Sequence, residues 1–256
     1  MNKYLFFASI ILILVLQVQC QNKKKNSARG RRPKADCRLL LLEECMTKMN
    51  RYKNDSKSYE LIKTSRGIDE ICSNSQESLK CLSDFIVKCG TPIQQEMFRF
   101  ALEQFEKSVD RFCKPGELRN DFLVHSPCIA DKVLGKQEYK NKCNMPFTAS
   151  VDKTDKLPEF DDRLDLVCCG YNRWENCLLE MTTKECSGAG KEALNAFMEK
   201  AFAGLSNMVC KQPDFVFTTD RCKSLYPPEG TVVTNKNTKN PISKYLTSYL
   251  GFLLSN

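Results

Sequence analysis

The cysteines, the single histidine and one acidic cluster are the residues of this 256-residue chain that could do chemistry. Cysteines can bind zinc, act as nucleophiles or form disulfides, depending on their spacing and their neighbours. Zinc sites usually combine closely spaced CxxC pairs with further Cys or His ligands. No CxxC pair occurs, and His125 is the only histidine. The sequence therefore predicts neither a metal site nor a histidine-based catalytic group, and it leaves disulfide formation as the expected role of the cysteines.

Residues 167–177, VCCGYNRWENC, are the segment that most invites an enzymatic interpretation. Secreted phospholipases A2 also carry adjacent cysteines followed by a third, with a catalytic His-Asp pair between them. Here the intervening residues are Gly, Tyr, Asn, Arg, Trp, Glu and Asn, and no glycine-rich calcium loop occurs elsewhere. The hydrolase signature GxSxG is absent as well. We therefore predict that these cysteines are structural, that the chain has no catalytic residues and that it is not an enzyme.

The acidic cluster lies in the sequence PEFDDRLD, at Glu159, Asp161, Asp162 and Asp165. It lacks the alternation and the glycine of an EF-hand calcium loop. Carboxylates stabilise the N-terminus of a helix through its dipole. We expect them to favour the N-terminus of the helix that contains Cys168, and we predict no cofactor.

The first 20 residues have the pattern of a cleaved signal peptide. Lys3 precedes an apolar run over residues 4–18, and Val18 and Cys20 are small enough for the positions before a cleavage site. Cleavage after Cys20 leaves 14 of the 15 cysteines, an even number, as an oxidised secreted chain favours. An uncleaved signal anchor is the alternative. We predict a secreted, extracellular protein with seven disulfides and no nucleic-acid partner.

Residues 21–35 form a basic tail that we expect to be disordered. It contains seven cations and no acid: Lys23, Lys24, Lys25, Arg29, Arg31, Arg32 and Lys34. These and Lys3 account for the net charge of +8, so the rest of the chain sums to zero. Such a tail either improves solubility or binds a polyanion, for which heparan sulphate and anionic lipid are the candidates.

The cysteine spacing repeats along the chain. The first series, with steps of 9, 8, 24 and 15 residues, is Cys72, Cys81, Cys89, Cys113 and Cys128. The second series, with steps of 9, 9, 24 and 12 residues, is Cys168, Cys177, Cys186, Cys210 and Cys222. This match predicts a duplicated framework, with one cysteine-rich region over residues 36–143 and another over 144–225. Cys169 is extra, and we expect it to pair with one of the remaining cysteines, Cys37, Cys45 or Cys143.

Helical patterns fill both copies. Thr91 and Pro92 are typical of a helix start, and apolar residues then recur at helical spacing from Ile93 to Phe112. The second copy has the same pattern from Leu194 to Val209. We predict an all-α fold of disulfide-stapled helical hairpins. The two ends of such a hairpin meet, which predicts Cys72–Cys113 and Cys168–Cys210 disulfides.

Residues 226–241 are predicted to be a linker, because they are rich in Pro, Asn and Thr. Residues 242–256 have the apolar spacing of an amphipathic helix. This helix could dock on the protein's own core, associate with another copy or lie on a membrane surface. A signal for a GPI anchor is a weaker alternative because the apolar run is short and interrupted. Asn54-Asp55-Ser56 is the only N-glycosylation sequon and predicts a glycan at Asn54.

The two cysteine series, with CLSDFIVKC and CLLEMTTKEC inside them, resemble a family of secreted, cysteine-rich, all-helical invertebrate proteins. The family includes the twenty-seven-kilodalton haemolymph glycoproteins of arthropods and a nematode cysteine-rich domain of unknown function. The resemblance covers about residues 36–225 and implies secretion and a helical disulfide fold, but no catalytic residue.

We expect a non-enzymatic extracellular binding protein. One hypothesis is a carrier of small apolar ligands, because the predicted helices are rich in aromatic residues and methionine. The alternatives are a protein-interaction or effector module that its basic tail holds to polyanions, and a protein that acts at membrane surfaces through its C-terminal helix. The sequence does not predict an oligomeric state.

Overall fold

The computed structural model describes residues 37–201, 210, 213–228, 230–231 and 250–254, and this part is mostly helical. The α-helices are α1 (Leu39–Cys45), α2 (Thr47–Asn54), α3 (Ser65–Cys89), α4 (Pro92–Cys113), α5 (Glu117–Cys128), α6 (Gln137–Tyr139), α7 (Met145–Lys153), α8 (Phe160–Ala201) and α9 (Asp220–Leu225). The 3-10 segments are Ser58–Lys63, Thr154–Lys156 and Pro213–Phe215, and the π-helical segments are Ile129–Leu134 and Lys140–Asn144. No strand occurs among the described residues, which confirms the all-α prediction for them. The predicted signal peptide and basic tail lie outside the described residues.

Local sequence signals position the long helices α3 and α4. The Thr64 side chain caps α3 by accepting a hydrogen bond from the backbone N–H of Gly67 at 3.1 Å. A Cβ atom at Gly67 would lie 2.0 Å from the carbonyl oxygen of Leu61, so the approach of the preceding 3-10 segment requires glycine there. Helix α4 begins at Pro92, as predicted. The Gln95 side chain donates to the carbonyl oxygens of Val87 and Gly90, at 3.0 and 2.9 Å, and so fixes the corner between α3 and α4.

Seven disulfides use all 14 cysteines that follow residue 20. Three lie in the first part of the chain: Cys37–Cys89, Cys45–Cys81 and Cys72–Cys113. Four lie in the second part: Cys128–Cys186, Cys143–Cys177, Cys168–Cys210 and Cys169–Cys222. Both predicted pairs are present, but the prediction for Cys169 is wrong, because its partner is Cys222. The cysteine steps did not indicate this pair, since they had matched Cys222 with Cys128.

The pairing order is the same in the two disulfide sets. If the pair Cys169–Cys222 is set aside, the first cysteine of each set pairs with the fifth, the second with the fourth and the third with the sixth. The predicted domain boundary after residue 143 falls inside the second set, because Cys128 and Cys143 pair with cysteines of α8. The disulfides close loops with sequence separations from 34 to 58 residues, and each stabilises the fold by about 4 kcal/mol in the chain-entropy account.

One hydrophobic core draws residues from both disulfide sets. Phe112 of α4, Phe122 of α5 and Phe197 of α8 form an aromatic cluster with ring centroids 4.3–5.5 Å apart. All three rings are buried. Such pairs contribute about 0.5–1.5 kcal/mol beyond the burial of their area. The helix α5, which connects the two sets, is therefore packed between them.

Helix α8 is interrupted at Ser187, whose backbone angles are φ 82° and ψ 169°. The segment therefore consists of two helical parts that meet directly after Cys186. An L-residue rarely adopts these angles, which glycine adopts without steric cost.

Residues 250–254 are buried in the core. Phe252 packs edge-on against Tyr52, with ring centroids 6.5 Å apart. The Tyr139 hydroxyl donates to the carbonyl oxygen of Leu253 at 2.8 Å, and the Asn144 side chain donates to that of Leu254 at 2.9 Å. This part of the predicted C-terminal helix thus docks on the protein's own core as a turn. Residues 242–249, which form the earlier part of that predicted helix, lie outside the described residues.

Candidate functional site

The segment VCCGYNRWENC lies in the first part of α8, where its cysteines join the helix to three other parts of the chain. Cys168 and Cys169 are fully buried and pair with Cys210 and Cys222. Cys177 pairs with Cys143, in the π-helical segment before α7. The cysteines of this motif are therefore structural, as the sequence predicted.

Gly170 and Trp174 form the contact of α8 with α7. A Cβ atom at Gly170 would lie 3.1 Å from that of Ser150, so glycine allows the two helices to approach closely. Trp174 stacks on Phe147 with ring centroids 5.6 Å apart. Its Nε1–H donates to the hydroxyl of Tyr139 at 2.9 Å. Burial raises the pKa of the Tyr139 phenol, so this hydroxyl stays protonated and donates onward to the C-terminal segment.

Asn172 and Arg173 bind the segment that follows α8. The Asn172 side chain donates to the carbonyl oxygens of Cys210 and Phe215, each at 2.8 Å. The Arg173 guanidinium lies over the ring of Tyr226, 4.9 Å from its centroid. Burial raises the pKa of the Tyr226 phenol to about 12, and its hydroxyl donates to the carbonyl oxygen of Cys169 at 3.1 Å. These polar side chains of the motif therefore hold the fold together.

His125 and the acidic cluster are also embedded in packing or ion pairs. Half-buried His125, on α5, faces α8 at Gly190, where a Cβ atom would lie 4.0 Å from its Nδ1. Asp161 and Asp162 lie in the first turn of α8, as predicted for residues that favour a helix N-terminus. Asp165 accepts hydrogen bonds from Arg221, but burial raises the pKa of its carboxyl. In the described residues, no cluster of three or more His, Cys, Asp or Glu side chains could hold a metal ion.

An apolar cavity lies beside the aromatic cluster. Its volume is about 30 Å³, and its lining includes Phe112, Phe122, Phe197 and Phe252. Sites for drug-sized ligands have volumes of about 300–1,000 Å³. The cavity is thus about the size of one water molecule.

The corner between α3 and α4 exposes apolar side chains. Val87 is 67% exposed and Ile93 is 70% exposed. Ile93, which begins the apolar stripe of α4, is therefore exposed, whereas Val109 and Phe112 of the same stripe are buried. Spacing alone does not reveal which residues of an apolar stripe other parts of the fold cover. We name the surface formed by Val87 and Ile93 the apolar corner.

The remaining predicted sites are the sequon at Asn54 and the cations of the tail. Asn54 is the last residue of α2, and Asp55 and Ser56, which complete its sequon, are exposed. The seven cations of the tail lie outside the described residues. None of the described helices is both long and apolar enough to cross a bilayer.

No protein-family model, curated protein or solved structure matches the chain.

Proposed function

We propose that this protein is a secreted, non-enzymatic extracellular binding protein. The observation that supports it most is the set of seven disulfides, which uses every cysteine that remains after removal of residues 1–20. Disulfides persist in oxidising compartments, and this number is typical of extracellular proteins. Membership of the secreted invertebrate family with similar cysteine spacing is part of the same proposal.

The body consists, in this proposal, of two copies of one unit. Each unit has three disulfides in the same order. The first unit extends from Cys37 to Cys113 and the second from Cys128 to Cys210, so the boundary moves from residue 143 to α5. Cys169–Cys222 is an addition to the second unit. A rigid body of this kind presents surfaces for binding and carries the termini.

The basic tail is the proposed contact with extracellular polyanions. Its seven cations follow one another within 12 residues, while the body is neutral overall. Attraction of this kind weakens as salt screens the charges. We expect the secreted protein to bind a heparin column and to elute at higher salt than a variant whose tail cations are replaced by glutamine. A variant with a scrambled tail sequence of the same charge is the control. Equal elution of the neutral-tail variant and the wild type would refute the polyanion role.

A carrier of small apolar ligands remains a second candidate, because the cavity is lined by aromatic rings. Its volume of about 30 Å³ requires the cavity to expand before it could hold a lipid-like molecule. Native mass spectrometry of protein secreted from eukaryotic cells tests this. A co-purified apolar mass supports the carrier, whereas a ligand-free protein favours a macromolecular partner.

A further inference from the structure

The apolar cavity beside the aromatic cluster is bounded in part by residues near the C-terminus. Phe252 lines the cavity and belongs to residues 250–254, all of which are buried. We name residues 250–254 the C-terminal plug. The other rings of the lining, Phe112, Phe122 and Phe197, come from α4, α5 and α8. The wall of the cavity therefore consists partly of the helical body and partly of the C-terminal plug.

Disulfides hold the body together, but they do not hold the C-terminal plug. Cys222 is the last cysteine of the chain, so no disulfide ties residues 250–254 to the helices. Two side chains of the body donate to the backbone of the plug: Tyr139 to the carbonyl oxygen of Leu253 and Asn144 to that of Leu254. A ligand that buries a similar apolar area and accepts both hydrogen bonds can therefore take the place of the plug.

The two donors define the kind of head group that fits. The Tyr139 hydroxyl accepts from the Nε1–H of Trp174 at 2.9 Å, which directs its own proton toward the plug. Burial raises the pKa of this phenol, so it donates as a neutral group, and the Asn144 amide carries no charge. Neutral donors suit the carbonyl oxygen of an ester or an amide, whereas a buried carboxylate would need a cation to offset its desolvation. The apolar side chains of the plug are together comparable in carbon content with one long acyl chain.

We propose that the C-terminal plug occupies the binding site of an uncharged lipid with a single acyl chain, which displaces the plug and presents its ester or amide carbonyl to Tyr139 and Asn144. This inference rests on the carrier candidate of the proposed function, and it names the site and the ligand class. It accounts for the small size of the cavity, because the site opens only when the plug leaves. The apparent affinity for the lipid is then reduced in proportion to the fraction of molecules that are open.

The probe for this site is 1-lauroylglycerol, a neutral lipid with one acyl chain and an ester carbonyl. It is titrated into the secreted full-length protein by isothermal titration calorimetry, and we expect saturable binding with a Kd below about 100 μM. Laurate, which has the same chain but a charged head group at neutral pH, should bind about tenfold more weakly. Carboxypeptidase digestion followed by mass spectrometry reports on the plug itself. The enzyme should remove residues 250–254 about tenfold faster with saturating lipid than without it, because the lipid releases them.

The variant Leu254→Asn distinguishes displacement of the plug from binding elsewhere. Leu254 is buried but lies outside the lining of the cavity, and asparagine has nearly its shape. The change therefore weakens docking of the plug without enlarging the cavity, because it buries an amide. We expect the variant to bind 1-lauroylglycerol about tenfold more tightly, since more molecules are open. The control Leu164→Asn, at a buried leucine of the separate apolar cluster around Cys169, should leave the affinity unchanged.

Three outcomes overturn the inference, and each has a different meaning. If 1-lauroylglycerol binds neither the wild type nor Leu254→Asn, the carrier candidate fails together with this site. If the lipid binds but changes neither the digestion rate nor the relative affinity of Leu254→Asn, the carrier candidate stands and its site lies away from the plug. If laurate binds as tightly as 1-lauroylglycerol, the neutral head group is refuted. Heparin retention of the wild type tests the polyanion role independently of all three.

Discussion

Replacement of Ser187 by glycine is expected to stabilise the protein. Ser187 has φ 82° and ψ 169°, in a region that is almost exclusive to glycine, and its side chain is exposed. Holding an L-residue there costs about 1–3 kcal/mol. Glycine removes that strain but loses about 0.5–1 kcal/mol through the greater entropy of the unfolded chain. The expected net gain in the free energy of unfolding is therefore about 1 kcal/mol, which raises Tm by about 2–4 °C in a protein of this size.

The assay is urea unfolding of the secreted protein with its disulfides intact, followed by circular dichroism. Ala189→Gly is the matched control, because Ala189 is exposed in the adjacent helical turn and does not have a positive φ. This control should lose about 0.5–1 kcal/mol, as glycine does in a helix. If Ser187→Gly destabilises the protein as much as Ala189→Gly does, the strain at this kink is not real and the reasoning is refuted.

Three further predictions concern the packing and the pH dependence of stability. Gly67→Ala should destabilise the protein by about 3 kcal/mol, because a Cβ atom at this position meets a backbone carbonyl. The control Gly188→Ala should not destabilise it, because a Cβ atom there meets no atom within 4 Å. Equal urea unfolding curves for the two variants would contradict this prediction. Trp174→Phe should cost about 2 kcal/mol, since it leaves the buried Tyr139 hydroxyl without its donor, and an unchanged unfolding midpoint would rule out that role. Burial raises the folded-state pKa of Asp165. The stability that this residue contributes to the fold is therefore complete below its unfolded pKa, and it is lost as the pH rises through the folded pKa. The wild type should therefore gain stability relative to Asp165→Asn between pH 7 and pH 4, and a constant or declining difference would contradict this sign.

The sequence predicts the helical class and two of the disulfides because these depend on local spacing. Apolar residues at helical intervals specify α4, and the two ends of a helical hairpin must meet, which predicts the pairs of Cys72 and Cys168. The partner of Cys169 depends on where the chain after α8 returns, and no local pattern encodes that path. Cys128 and Cys222 occupy similar places in the two spacing series but have different roles, since spacing carries no information about pairing order.

The candidate site was less predictable, because exposure depends on tertiary packing. Ile93 and Phe112 belong to the same apolar stripe in sequence, yet one is exposed and the other is buried. The difference arises because Phe112 meets the rings of α5 and α8, while Ile93 lies at the far end of the helix.

Disulfide mapping of the secreted protein by peptide mass spectrometry tests the central claim most directly. We expect a chain that begins at Gln21, has no free thiol and contains Cys37–Cys89, Cys45–Cys81 and Cys72–Cys113 in the first unit. The second unit should contain the same order of pairs, Cys128–Cys186, Cys143–Cys177 and Cys168–Cys210, together with Cys169–Cys222. A mapped pair between the two sets, or free thiols in the purified protein, would contradict an oxidised body built from two copies of one disulfide unit.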